Sequence, residues 1–129
     1  MRFTSLFASL LSAATVALVL ASLNASAEPV SAGVWAQTSS TAGDCANCQI
    51  TITNKTPHII ELVGNNQWIG YAHYSSATDN YIGAFEWEAG KGGSYDGVVF
   101  AVEFVYEGQT LKMNAKSDKL SFSATFRKR

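Results

Sequence analysis

From Gly33 to the C-terminus, apolar side chains recur at every second position, in short segments separated by turn residues. A period of two sends successive side chains to opposite faces of a pleated strand, so each segment reads as a strand with one buried face. The segments are 33–37, 49–54, 58–63, 68–74, 81–88, 98–106, 110–116 and 120–128. Most separators are short, such as "KTP", "GNNQ", "EGQ" and "SDK"; "TSSTAGDCANC" and "AGKGGSYDG" are longer. In "GNNQ", Gly and Asn tolerate the positive φ that a hairpin turn asks for. No helical period occurs in these segments. Neighbouring strands joined by short turns pair antiparallel. Eight of them in succession predict an all-β fold, an antiparallel up-and-down eight-stranded barrel, because closure removes the two exposed sheet edges. A β-sandwich is the alternative, but it usually needs longer crossing connections.

The same alternation assigns the faces. Tyr81, Gly83, Phe85 and Trp87 share one side of their segment, opposite Ile82, Ala84, Glu86 and Glu88. Val98, Phe100, Val102, Phe104 and Tyr106 share a side, as do Leu120, Phe122, Ala124 and Phe126. Aromatic sides are expected inside; charges and hydroxyls, Arg127 among them, are expected in water.

The N-terminus reads differently. Arg2 precedes an uncharged, Leu/Ala/Val-rich run over 6–23, followed by "NASAEP" with Ala25 and Ala27 at the small positions of an A-x-A cleavage site. This is the layout of a secretory signal peptide over 1–27, with cleavage after Ala27 and one domain over 28–129. An uncleaved anchor would lack its usual cationic stop-transfer flank. The expected location is periplasmic or secreted, with no membrane association after cleavage. Nine basic and ten acidic residues give a formal charge of −1, and the one basic cluster is Arg127-Lys128-Arg129. Nucleic acid is therefore not an expected partner, since phosphate binding needs a basic face.

Cys45 and Cys48 are the two cysteines. In an oxidising compartment thiol pairs become disulfides. A thioredoxin-type redox pair needs a helix starting at the first cysteine to stabilise its thiolate. Here Gln49-Ile50-Thr51-Ile52-Thr53 follows, a β-branched strand pattern. Haem attachment needs His at position 49, where Gln stands. Zinc needs further ligands, and His58 and His73 follow at spacings that fit no standard finger. The expectation is a structural disulfide and no metal or other cofactor.

Gly33-Val34-Trp35 opens the first strand as a G-x-W, and Phe126-Arg127 closes the last. In these features the chain resembles the calycin group of lipocalins, fatty-acid-binding proteins and avidins. The resemblance implies that Trp35 closes one barrel end, with the Arg127 guanidinium packed on its ring. It carries over no ligand, for neither a biotin-site pattern nor a fatty-acid-site Arg-x-Tyr is present.

An eight-stranded barrel is filled by its own side chains or holds one small ligand. Trp68, Gly70, Ala72 and Tyr74 share a face, as do Tyr81, Gly83, Phe85 and Trp87. Gly70, Ala72 and Gly83 could leave a hollow walled by Trp68, Tyr74, Phe85 and Trp87, suited to a small apolar or aromatic ligand. Alternatively, the glycines let the strands coil tightly and the aromatics fill the gap. Catalytic signals are sparse: His73, Ser75 and Asp79 can be drawn as a triad but lack a nucleophile-elbow sequence, so no enzyme is expected. His58, Glu61 and His73 are the residues a periplasmic metal-binding protein would use. Asn54-Lys55-Thr56 is a glycosylation sequon. A protein partner is the third possibility, for an inhibitor or immunity-type protein acting through loops 38–48 and 89–97. Those two connections emerge at the same barrel end, whereas 75–80 emerges at the other.

Overall fold

A computed structural model describes residues 30–43 and 45–129. The expected signal peptide and its cleavage site lie outside the described residues. Eight strands follow in chain order: β1 (Gly33–Ser40), β2 (Gln49–Thr56), β3 (Ile59–Gly64), β4 (Trp68–Ser75), β5 (Asn80–Trp87), β6 (Phe100–Glu107), β7 (Thr110–Lys116) and β8 (Ser121–Lys128). Each pairs antiparallel with its neighbours in sequence, and β1 pairs with β8, which closes the barrel. The up-and-down barrel expected from the alternation is the observed fold. A single 3-10 turn, Gly93–Tyr95, is the only helical element among the described residues.

Two strands start later than their apolar run. Val98 stays in the loop before β6, its N–H donating to the Tyr95 carbonyl at 3.1 Å. Leu120, expected inside, is 39% exposed. It belongs to the β7–β8 turn, where its N–H donates to Ser117 Oγ at 3.2 Å and its carbonyl accepts the Ser117 N–H at 2.8 Å. Turn hydrogen bonding there overrides the period of two. The three-residue β3–β4 loop also differs in detail. The Gln67 N–H donates to the Gly64 carbonyl at 3.0 Å, and the left-handed residue is Gln67 itself (φ 71°), not Gly or Asn. This is a type I turn followed by one left-handed residue, a common three-residue hairpin loop.

The inside is apolar and tightly filled: Trp35, Ile50, Ile52, Ile60, Leu62, Phe100, Phe104, Leu111 and Phe126 are all at most 2% exposed. The outside carries Glu86, Glu103, Lys112 and Lys116, all exposed. That polarity is the reverse of a transmembrane barrel, whose apolar band faces out. A few large apolar side chains do face water, mainly Val63, Ile69, Tyr71 and Ile82 on β3–β5. Tyr71 donates to Glu61 Oε2 at 3.0 Å, and that bond together with the Glu61 charge raises its phenol above the usual range.

The two barrel ends differ. At one, the segment before β1 lies across the opening. Val30 is fully buried there, and its N–H donates to the Tyr81 hydroxyl at 3.0 Å. Trp35, also fully buried, donates from Nε1 to the Ser31 carbonyl at 2.9 Å and meets Tyr106 edge-on at 5.7 Å. The other end carries the connections after β1, β3, β5 and β7 and remains partly open.

Candidate functional site

The cation above Trp35 is not Arg127. Lys128 brings Nζ to 5.9 Å from the Trp35 ring centroid and donates to the Ala32 carbonyl at 2.6 Å. Strand register explains this. Lys128 stands opposite Trp35 across the β1–β8 seam, while Arg127 stands opposite Ala36 and is exposed. Side chains that pair across a seam share a face, so Lys128 and not Arg127 reaches the ring.

Cys45 and Cys48 stand at disulfide-bonding distance, with a Cα–Cα separation of 5.4 Å. Their turn is also held from outside. Asn65, in the β3–β4 loop, accepts the Gln49 N–H on Oδ1 at 2.9 Å and donates from Nδ2 to the Asn47 carbonyl at 2.7 Å. The Gln37 N–H donates to the Cys48 carbonyl at 2.9 Å, tying the turn back to β1. Because so many bonds fix this turn, the crosslink closes a loop that is already ordered. Replacing both cysteines by Ala is expected to cost only about 1–3 kcal/mol. Protein from an oxidising compartment should show no alkylatable thiol under denaturing conditions; two free thiols would contradict the crosslink.

The six residues expected to wall a central hollow do not form one site. Trp68 and Tyr74 stand at opposite ends of β4, about 20 Å apart at strand rise. Tyr74 packs edge-on against Tyr81 at 5.6 Å and donates to Asp79 Oδ1 at 2.6 Å. Gly70 and Gly83 mark where strands crowd, not where space remains. A Cβ on Gly70 would lie 2.7 Å from Phe85 Cβ. One on Gly83 would run into the Tyr71 carbonyl oxygen and lie 2.6 Å from Ala72 Cα. The middle of the barrel at this level is therefore packed.

Trp68, Phe85 and Trp87 instead line a cavity at the partly open end, about 160 Å³ in volume. Tyr95, Phe122, Met113 and Phe126 complete its apolar walls; Gln37, Ser40, Asn66 and the cysteine pair form its rim. The aromatic rings are in mutual contact. Trp68 lies 4.7 Å from Phe85, which stacks on Phe100 at 5.1 Å, and Phe100 meets Phe122 edge-on at 5.3 Å. Loops 38–48 and 89–97 both border this mouth, through Cys45 and Cys48 on one and Tyr95 on the other. Phe122 and Phe126 were legible as inward residues, but nothing in the sequence located them at the mouth.

His58, Glu61 and His73 are on the outside. Glu61 accepts from Tyr71 and lies 3.5 Å from Lys55 Nζ. Among the described residues no three His, Cys, Asp or Glu side chains are placed to hold a metal ion. Also among the described residues, no helix is long and apolar enough to cross a membrane. No family model matches the chain, and no curated protein or solved structure matches it significantly.

Proposed function

We propose that this is an exported, non-enzymatic binding protein, a calycin-like barrel that takes a small apolar or aromatic ligand at its open mouth. The observation carrying this reading is the cavity of about 160 Å³, walled by Trp68, Phe85, Trp87 and Phe122, with a polar rim uncharged among the described residues. A cavity of roughly 150 Å³ in an apolar core accommodates benzene, so the space suits a single ring. Apolar walls with a few amides and hydroxyls are the usual composition of a small-molecule site. The opposite end is closed by Val30 and Trp35, so the mouth is the natural way in.

Two of the three tryptophans, Trp68 and Trp87, line this cavity, and Trp35 lies at the other end. A ligand entering should therefore change the intrinsic fluorescence, and Trp68→Phe with Trp87→Phe should abolish the change while Trp35 still reports an intact fold. A flat titration across a panel of small aromatic and apolar compounds would sink the reading. It would leave the second one: a protein contact made by the loops 38–48 and 89–97, which both border the same mouth.

A further inference from the structure

One of the rings at the mouth does not belong to the barrel wall. Trp87 is on β5 and Phe122 on β8, both fixed by strand pairing. Tyr95 comes from the loop between β5 and β6, in the 3-10 turn Gly93–Tyr95. Its ring stacks on Trp87 (5.4 Å, 26°) and on Phe122 (6.2 Å, 28°), and meets Phe100 edge-on (5.8 Å, 82°). The barrel thus builds a slot one ring thick, walled by Trp87 and Phe122 and floored by Phe100, and a loop residue fills it.

The loop is organised to carry that ring as a unit. Asp96 Oδ1 accepts the Gly90 N–H at 2.8 Å and the Gly92 N–H at 3.4 Å; the Tyr95 N–H donates to the Gly92 carbonyl at 2.9 Å. These bonds are internal to the loop and survive if it moves as a body. At Gly90, Gly93 and Gly97 an added Cβ would meet nothing within 4 Å, so these three positions leave space beside the loop. The loop meets the barrel through the Tyr95 ring, through Val98, which packs on the core, and at Gly92, whose Cβ position lies 2.9 Å from Trp87 Cβ.

The geometry points to a ligand that is a neutral planar aromatic, which enters by displacing Tyr95 and stacks in its place between Trp87 and Phe122. This rests on the mouth being the ligand site, as proposed above, and adds the chemistry that selects the ligand. A ring pair prefers offset or edge-on contact with another π-system, so a slot shaped around a phenol ring accepts another flat ring and disfavours a puckered one. Displacement joins the slot to the adjoining cavity, making room for two fused rings. The described residues lining the cavity are uncharged, and burying an unpaired ion against its apolar walls would be costly, which favours a neutral ligand. The Gln37, Ser40 and Asn66 side chains on the rim can meet its heteroatoms.

The test uses indole as the flat probe and cyclohexanol as the puckered one, with the unsubstituted protein and Tyr95→Ala. Removing the ring that occupies the slot should tighten indole binding about tenfold and leave cyclohexanol unchanged. Amide exchange in the unsubstituted protein gives a reading that no folding defect can disturb. Saturating indole should speed exchange at Tyr95, Asp96 and Val98, as the loop lifts, and slow it on β5 and β8. If indole and cyclohexanol bind alike, if Tyr95→Ala weakens indole, or if the loop amides become more protected, Tyr95 is a wall and the displacement is wrong, while the mouth remains a ligand site. If neither probe binds to either protein, the ligand site itself is wrong.

Discussion

Trp35→Ala is expected to lower stability by about 3–5 kcal/mol, the range for removing a fully buried large ring. The loss is compound. The indole fills the closed end of the barrel and is fully buried. Its Nε1 is the hydrogen-bond donor to the Ser31 carbonyl at 2.9 Å, so the variant also leaves that carbonyl without its partner. Ser31 adjoins Val30, the fully buried side chain that plugs the opening, so the segment before β1 should loosen with it. For a domain of about a hundred residues with roughly 5–15 kcal/mol in total, this is about a fifth or more of the stability. A fall in melting temperature of more than about 10 °C should result. Trp35→Phe should fall between, keeping ring area but losing the N–H. An unchanged urea midpoint for Trp35→Ala would remove this residue from the structural role assigned to it.

The barrel was legible because the evidence for it is local and repeated. Each segment carries its own period of two, each turn its own Gly, Asn, Asp or Pro, and eight consistent readings leave few topologies. The same alternation already contained the correct partner for Trp35. Phe122, Ala124 and Phe126 point inward, so Lys128 does too, and Arg127 faces water. The G-x-W resemblance favoured Arg127, and the physical period of the strand was the better guide. Leu120 failed for the opposite reason: its side-chain pattern fits a strand, but Ser117 captures its backbone in a turn.

The site was legible only in part, because faces are local and depth along the barrel is not. Alternation tells which side chains point inward; it does not say how far each lies from the mouth. Trp68 and Tyr74 share a face yet sit at opposite ends of β4. Trp68, Phe85 and Trp87 come together because β4 and β5 pair with Trp68 opposite Trp87 and Gly70 opposite Phe85. Met113, Phe122 and Phe126 join them from β7 and β8, far away in sequence. Loop order alone puts 89–97 at the same end as 38–48, but the insertion of Tyr95 between two rings depends on a Gly-rich loop whose path no period encodes. Asn65 was hidden likewise: an amide in a turn gives no sign that it will hold a neighbouring turn in place.

Gly83→Leu is expected to damage the fold, not merely to fill a pocket. Gly83 faces inward on β5, opposite Ala72 on β4 and Val102 on β6. Its φ is not in the left-handed region, so conformational freedom is not why glycine is needed; the reason is space. The first carbon of any side chain would run into the Tyr71 carbonyl oxygen and come within 2.6 Å of Ala72 Cα. Both are backbone atoms of the neighbouring strand, so no rotamer change relieves the contact, and β4 and β5 must separate. Overpacking a core costs typically about 1–3 kcal/mol when side chains can yield, and here the cost should reach or exceed the top of that range. Gly83→Ala should already show most of the effect, because the collision occurs at Cβ. Urea unfolding followed by far-UV dichroism measures both. The alternative outcome is specific: a Gly83→Leu protein that keeps the wild-type midpoint but no longer binds a ligand that the wild type binds. That result would put the binding hollow in the middle of the barrel beside Gly70 and Gly83, and take it away from the mouth.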